Sequence, residues 1–158
     1  MYVIPQAIAP FGVLSSSMMN WKFHRQRIQA ENSKVPIILA VEDEIDNLLL
    51  ICHTLIFLQF NFITATEGET ALKLATNYEV DLVLLDLVLP DTSGFELARR
   101  FRQNELTKEM PIIAVSGLAK EEDRDRALSL GCNDYLTKPY LIEDLQRKIR
   151  QHLPRSRH

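Results

Sequence analysis

Residues 81–94 read DLVLLDLVLPDTSG. Asp81–Leu85 is a short apolar run of the kind buried within a parallel sheet, Asp86 follows at its end, and Pro90–Gly94 supplies turn-forming residues. Phe95–Gln103 then predicts a helix. Working outward, Pro36–Val41 (PIILAV), Phe62–Ala65, Pro111–Val115 (PIIAV) and Asp134–Thr137 read as four more short strands. Between and after them, helical spacing predicts helices over Asp46–Phe60, Thr70–Asn77, Lys120–Leu130 and Leu141–His152. In the first, Leu48, Ile51, Cys52, Leu55 and Leu58 share one face. Gly131, just past a predicted helix, is a C-terminal stop. Strand and helix alternate five times over about 120 residues, which predicts an α/β fold. The expectation is a doubly wound five-stranded parallel sheet in the flavodoxin-like order 2-1-3-4-5, with right-handed crossovers and helices on both faces.

The chain of 158 residues suits one domain with a full core, and 46% hydrophobic with 25% charged residues is a globular composition. Charge is unevenly placed. Residues 1–34 carry Lys22, Arg25, Arg27 and Lys34 against Glu31, a net of +3, while residues 35–153 carry 12 Lys+Arg against 20 Asp+Glu, a net of -8. An acidic body disfavours direct nucleic-acid binding, which draws on Lys and Arg. The absence of a Gly-rich loop after the first strand counts against nucleotide binding. Cys52 and Cys132 have neither a disulfide nor a zinc spacing and read as reduced, apolar-packed thiols. No apolar run approaches the ~20 residues of a membrane span, and Met1–Leu14 lacks the basic start of a signal peptide. The expected setting is the cytoplasm. Residues 1–34 read as an N-terminal tail, with a short basic helix near 20–31 as the alternative to a loose chain. Residues 35–153 form the domain, and 154–158 a C-terminal tail.

In a doubly wound sheet the site lies outside the carboxyl ends of the strands. Those ends hold Glu42-Asp43-Glu44 after the first strand, Asp86 after the third, Ser116 after the fourth and Lys138 after the fifth. The order 2-1-3-4-5 makes these strands neighbours, so carboxylates converge opposite a hydroxyl and an ammonium. Clustered carboxylates raise one another's pKa unless a cation compensates them, and an all-oxygen set with room for water and phosphate suits Mg²⁺. An ionised carboxylate there can attack phosphorus and form an aspartyl phosphate. Lys138 would balance the transferred charge, and Ser116 would donate a hydrogen bond to it.

VEDE at 41–44, LLDLVLPDTSGFE at 84–96, AVSG at 114–117 and YLTKP at 135–139 together resemble a response-regulator receiver domain, over about residues 36–152. The resemblance implies a two-component phosphoacceptor switch with Asp86 as the phosphorylated residue. It is not an enzyme in the ordinary sense, beyond self-catalysed phosphorylation and slow autodephosphorylation. It implies Mg²⁺ held by Asp43, by Asp86, by the main-chain carbonyl of Val88 and, through water, by Glu42. Ser116 takes the place of the hydroxyl residue that follows the phosphoryl group. Tyr135 matches the aromatic that changes rotamer, and Lys138-Pro139 the family's Lys-Pro, usually cis. Glu42 is one methylene longer than the commoner Asp, and Ser116 lacks the methyl of the commoner Thr. The implied donor is a sensor histidine kinase or histidine phosphotransfer domain, and the downstream protein target is open.

Leu50, Phe57 and His53 point away from the buried face of the first helix, either as scattered surface residues or as a contact patch. By the resemblance this helix faces the donor's helical bundle. His24, His53, His152 and His158 have no metal-ligand spacing and read as solvated or packing residues. The charged fourth helix, Glu121 to Arg126, reads as a solvated face, with pairing across a homodimer as the alternative. Because the last helix is predicted to end about five residues before the terminus, the expectation is a stand-alone regulator whose output is a protein contact or phosphoryl relay. Two other functions compete. A haloacid-dehalogenase-type phosphatase wants a second acid where Val88 stands and a nucleophile on the first strand. An unphosphorylated receiver-like interaction module is disfavoured by the complete site.

Overall fold

A computed structural model describes residues 35–153; the expectations for the N-terminal tail and its short basic helix, and for residues 154–158, lie outside the described residues. Five strands alternate with five helices: β1 Ile37–Val41, α1 Ile45–Phe57, β2 Asn61–Ala65, α2 Gly68–Asn77, β3 Leu82–Leu85, α3 Gly94–Gln103, β4 Ile112–Ser116, α4 Glu121–Ser129, β5 Asp134–Thr137 and α5 Ile142–His152. All pairings are parallel and the order is β2-β1-β3-β4-β5, as expected.

The strands are apolar on both sides because both sides are covered. Ile38, Ala40, Leu82, Leu84, Ile113 and Val115 pack with Leu48, Ile51 and Leu55 of α1 and Leu145 and Ile149 of α5. The alternate residues Leu39, Val41, Val83, Leu85, Ile112 and Ala114 pack with Ala71, Leu97, Phe101 and Ala127 of α2, α3 and α4. Each large aliphatic side chain so buried contributes about 1.5–3 kcal/mol. No helix of the described residues is long and apolar enough to cross a membrane.

Several element ends differ from expectation by one residue, and three differences have a visible structural reason. α1 stops at Phe57, and Gln59 at φ 61° turns the chain into β2, so Leu58 is a half-buried cap residue and not part of the inner face. α2 starts at Gly68, two residues early, because Asp91 accepts the N–H groups of Gly68 and Glu69 at 2.9 and 3.1 Å. This caps the helix from a loop more than twenty residues away. β4 runs on to Ser116, which pairs with Thr137. Gly131 does end α4, at φ +111°, a conformation only glycine adopts freely.

Candidate functional site

Four strand ends bring the site together. Asp86 follows β3, and its amide donates to the Val41 carbonyl at 2.9 Å, tying it to the end of β1. Its Oδ1 accepts the Val88 N–H at 2.9 Å and its Oδ2 the Lys138 ammonium at 2.8 Å. The loop beyond is held by the Val88–Ser93 bridge, and Ser93 caps α3 by accepting from the Glu96 N–H. Gly94 is required at this point: a Cβ there would stand 2.3 Å from the Asp86 carbonyl oxygen. The helix start is thereby packed directly beneath the Asp86 backbone.

Glu42 is 1% exposed and Asp86 7%, while Asp43 lies open to solvent. One oxygen from each of Glu42, Asp43 and Asp86 lies within 4.8 Å of the others, close enough to hold one cation. Both Glu42 oxygens are engaged: Oε1 accepts the Glu44 N–H at 3.1 Å, and Oε2 the Lys138 ammonium in a close ion pair. Burial pushes the Glu42 carboxyl above its usual range; the Lys138 hydrogen bond opposes that, and the Asp86 charge adds to it. Burial works against the Lys138 ammonium, but its bonds to Asp86 and Glu42 win and raise its pKa. The lysine therefore stays charged. Three carboxylates against one ammonium leave the site short of positive charge.

Ser116 is fully buried, and its Oγ accepts the Leu118 N–H at 3.3 Å. Its carbonyl accepts the Lys138 N–H at 2.9 Å, linking hydroxyl and lysine through the β4–β5 edge. Tyr135 is 6% exposed and donates its phenol to the Leu118 carbonyl. Burial raises that phenol's pKa, with a hydrogen bond to Ser116 opposing. The Lys138–Pro139 peptide bond is cis.

Glu42, Asp43, Asp86 and Lys138 thus meet in one place, Ser116 is tied to Lys138 through the backbone, and Glu44 stays exposed as the α1 N-cap. The Glu42–Lys138 pair has no signature in the sequence: a longer side chain at position 42 does not by itself reveal that it reaches the lysine. His152, expected as a solvated or packing residue, meets Asp134 at 3.0 Å beside Lys148. Cys132 is buried and Cys52 half-buried, with burial pushing their thiols up to about 12 and about 11, as for inert packing groups.

Comparison with known proteins agrees with this geometry. A family model described as "response regulator receiver domain" matches residues 26–150. The chain is 33% identical over 140 residues to a probable cyclic di-GMP phosphodiesterase of Vibrio cholerae, covering 89% of this chain and 31% of that protein. It is 34% identical over 119 residues to the phosphate regulon transcriptional regulatory protein PhoB of Pseudomonas aeruginosa, covering 75% and 52%. The chain thus spans about a third to about half of these relatives' length. Among solved structures, the receiver domain of the sensor histidine kinase PA1611 of Pseudomonas aeruginosa, with magnesium in its active-site cleft, matches at TM-score 0.71 and 33% identity, covering 75% of this chain and 98% of that one. The chemotaxis protein CheY4 of Vibrio cholerae matches at TM-score 0.72 and 27% identity, covering 76% and 100%. With the fold, the acidic cluster and the family model in agreement, the chain belongs to the response regulator receiver family.

Proposed function

We propose that Asp86 accepts a phosphoryl group from a phosphohistidine donor and that the chain thereby switches a protein-binding surface. The observation that carries this is the cluster of three carboxylates, two of them paired with one ammonium, around a nearly buried Asp86. A Mg²⁺ ion held there by Asp43, Asp86 and the Val88 carbonyl would supply the missing positive charge. Both Glu42 oxygens already have partners, which supports a place for Glu42 behind an intervening water. An Asp86 oxygen bonds phosphorus as the donor's P–N bond breaks, and the electron pair leaves with the imidazole. Lys138, already 2.8 Å from Asp86, is held where it can follow the charge onto the phosphoryl oxygens.

Ser116 would donate its hydroxyl to that group, and Tyr135, bonded behind it, would report the change. Tyr135 borders a surface hollow lined by Ala119, Lys120, Glu121, Arg124 and Thr137, which supports an output face on α4 and β5. Glu121, Glu122, Arg124 and Asp125 of α4 are exposed, in keeping with a solvated face. On the input side, Leu50 and Phe57 are exposed on α1 as expected. This supports docking of a kinase's or phosphotransfer domain's helices there. A cytoplasmic setting fits such a donor.

Incubation with Mg²⁺ and acetyl phosphate tests the reading. It predicts one acid-stable, hydroxylamine-labile phosphoryl adduct per chain, absent in Asp86→Asn. Multiple turnover of phosphoesters would point instead to a phosphatase, and no adduct with any donor to an interaction module.

A further inference from the structure

Of the eleven large apolar side chains exposed among the described residues, five lie on α1: Ile45, Leu49, Leu50, Ile56 and Phe57, between 44% and 77% exposed. Leu48, Ile51 and Leu55 on the other side fill the core. The helix has no Lys or Arg and a single carboxylate, Asp46. A solvated surface helix carries charge on its outer face, and one that is apolar all round is a helix with something on both sides. At 3.6 residues per turn the exposed residues form one arc of about 140°. Ile45, Leu49 and Ile56 make one margin, and Leu50 and Phe57 the other. Along the midline stand only Asp46 and His53, seven residues and two turns apart.

That midline is self-complementary, and we infer that the outer face of α1 binds α1 of a second copy of this chain in an antiparallel pair. A two-fold axis between Leu49 and Leu50 places each Asp46 opposite His53 of the second copy. The carboxylate acceptor and the imidazole N–H donor then meet twice, as an isologous contact requires. Leu49 and Leu50 cross at the axis, and the two margins close over it. The five side chains expose on the order of 500 Å² per copy, at the upper end for a monomer's patch. Two copies bury about 1,000 Å², the lower limit of a specific interface, which makes the dimer weak. Ile45 lies two residues beyond Asp43, so the pair competes with a phosphodonor for the same approach to the site. The inference does not depend on phosphorylation.

Sedimentation velocity of the full chain tests it, with a dimer expected at a dissociation constant of about 10–100 μM. Leu50→Glu with Phe57→Glu should weaken it more than about tenfold, because the new charges are buried against apolar surface. The circular dichroism spectrum and thermal unfolding midpoint of this variant should match the parent's, showing that the fold survives. Asp46→His alone should weaken the dimer, and Asp46→His with His53→Asp should restore it, since the reciprocal pairing is rebuilt. A chain that stays monomeric throughout overturns the inference. So does a dimer indifferent to Leu50→Glu with Phe57→Glu, or a swap that fails to restore it. A monomer whose Leu50→Glu, Phe57→Glu variant loses only phosphohistidine transfer assigns the face to the donor instead.

Discussion

The two ends of the sheet are built from the same residue types and arranged in opposite ways. At the amino ends of the strands, the polar side chains are matched by partners. Asp81 accepts the Ile37 N–H at 2.8 Å, and Asn133 accepts the Ile112 N–H at 2.9 Å and the Arg102 guanidinium at 2.8 Å. Asp134 accepts from Lys148 at 2.6 Å and from the Tyr135 N–H at 2.7 Å, and meets His152 at 3.0 Å. Arg102 also donates to the carbonyls of Gly131, Met110 and Lys108. At the carboxyl ends, Glu42 and Asp86 share the Lys138 ammonium, and Asp43 adds a third carboxylate to the cluster. Balanced polar groups lock strands to helices, whereas an excess of carboxylates over ammonium favours binding of a cation. The first end stabilises the fold, and under the proposed function the second spends stability on chemistry.

The largest test of that contrast is Lys138→Ala. It should slow phosphorylation by acetyl phosphate about 10²–10³-fold, the usual cost of removing one charge-stabilising donor. Autophosphorylation rates read it directly. Asp134→Asn should do the reverse: leave those rates unchanged and lower stability by about 2 kcal/mol, the scale of hydrogen bonds to a charged group. In a domain of this size that is a drop in Tm of about 5–8 °C. Burial alone would raise the Asp134 carboxyl, but its bonds to Lys148, His152 and the Tyr135 N–H hold it below the usual range. A depressed carboxylate adds stability in full above its unfolded pKa and loses it as pH falls through the folded one. The deficit of Asp134→Asn should therefore shrink below about pH 4 in urea titrations. The smallest effect concerns the cation: at tenfold saturation Mg²⁺ should stabilise the chain by about 1.4 kcal/mol, and Asp43→Asn should remove that gain. A Tm shift on chelation, in parent and variant, reads it.

The contrast also explains what the sequence made legible. The five strands could be read because each is an apolar run, and the acidic end because parallel topology turns strand ends into neighbours. Glu42, Asp43, Asp86, Ser116 and Lys138 followed from that alone, and the receiver resemblance added roles. The balanced end left no such trace. Asp91 caps α2 across 22 and 23 residues, and Arg102 reaches Gly131 across 29. Polar contacts between distant positions have no periodicity to betray them. On α1 the helical spacing marks one apolar stripe as core and leaves Leu50 and Phe57 outside it, whereas Ile45, Leu49 and Ile56 lie too near the margin of that stripe for the period to separate them.

The most direct measurement locates the phosphoryl group. Chain treated with Mg²⁺ and acetyl phosphate is reduced with borohydride, which converts an aspartyl phosphate to homoserine, and its peptides are mapped by mass spectrometry. Conversion confined to Asp86, and formed about 10²–10³-fold more slowly when Lys138 is replaced by Ala, is the predicted result. Conversion at Asp43 or Asp134, or none anywhere under conditions that phosphorylate other receivers, would contradict it.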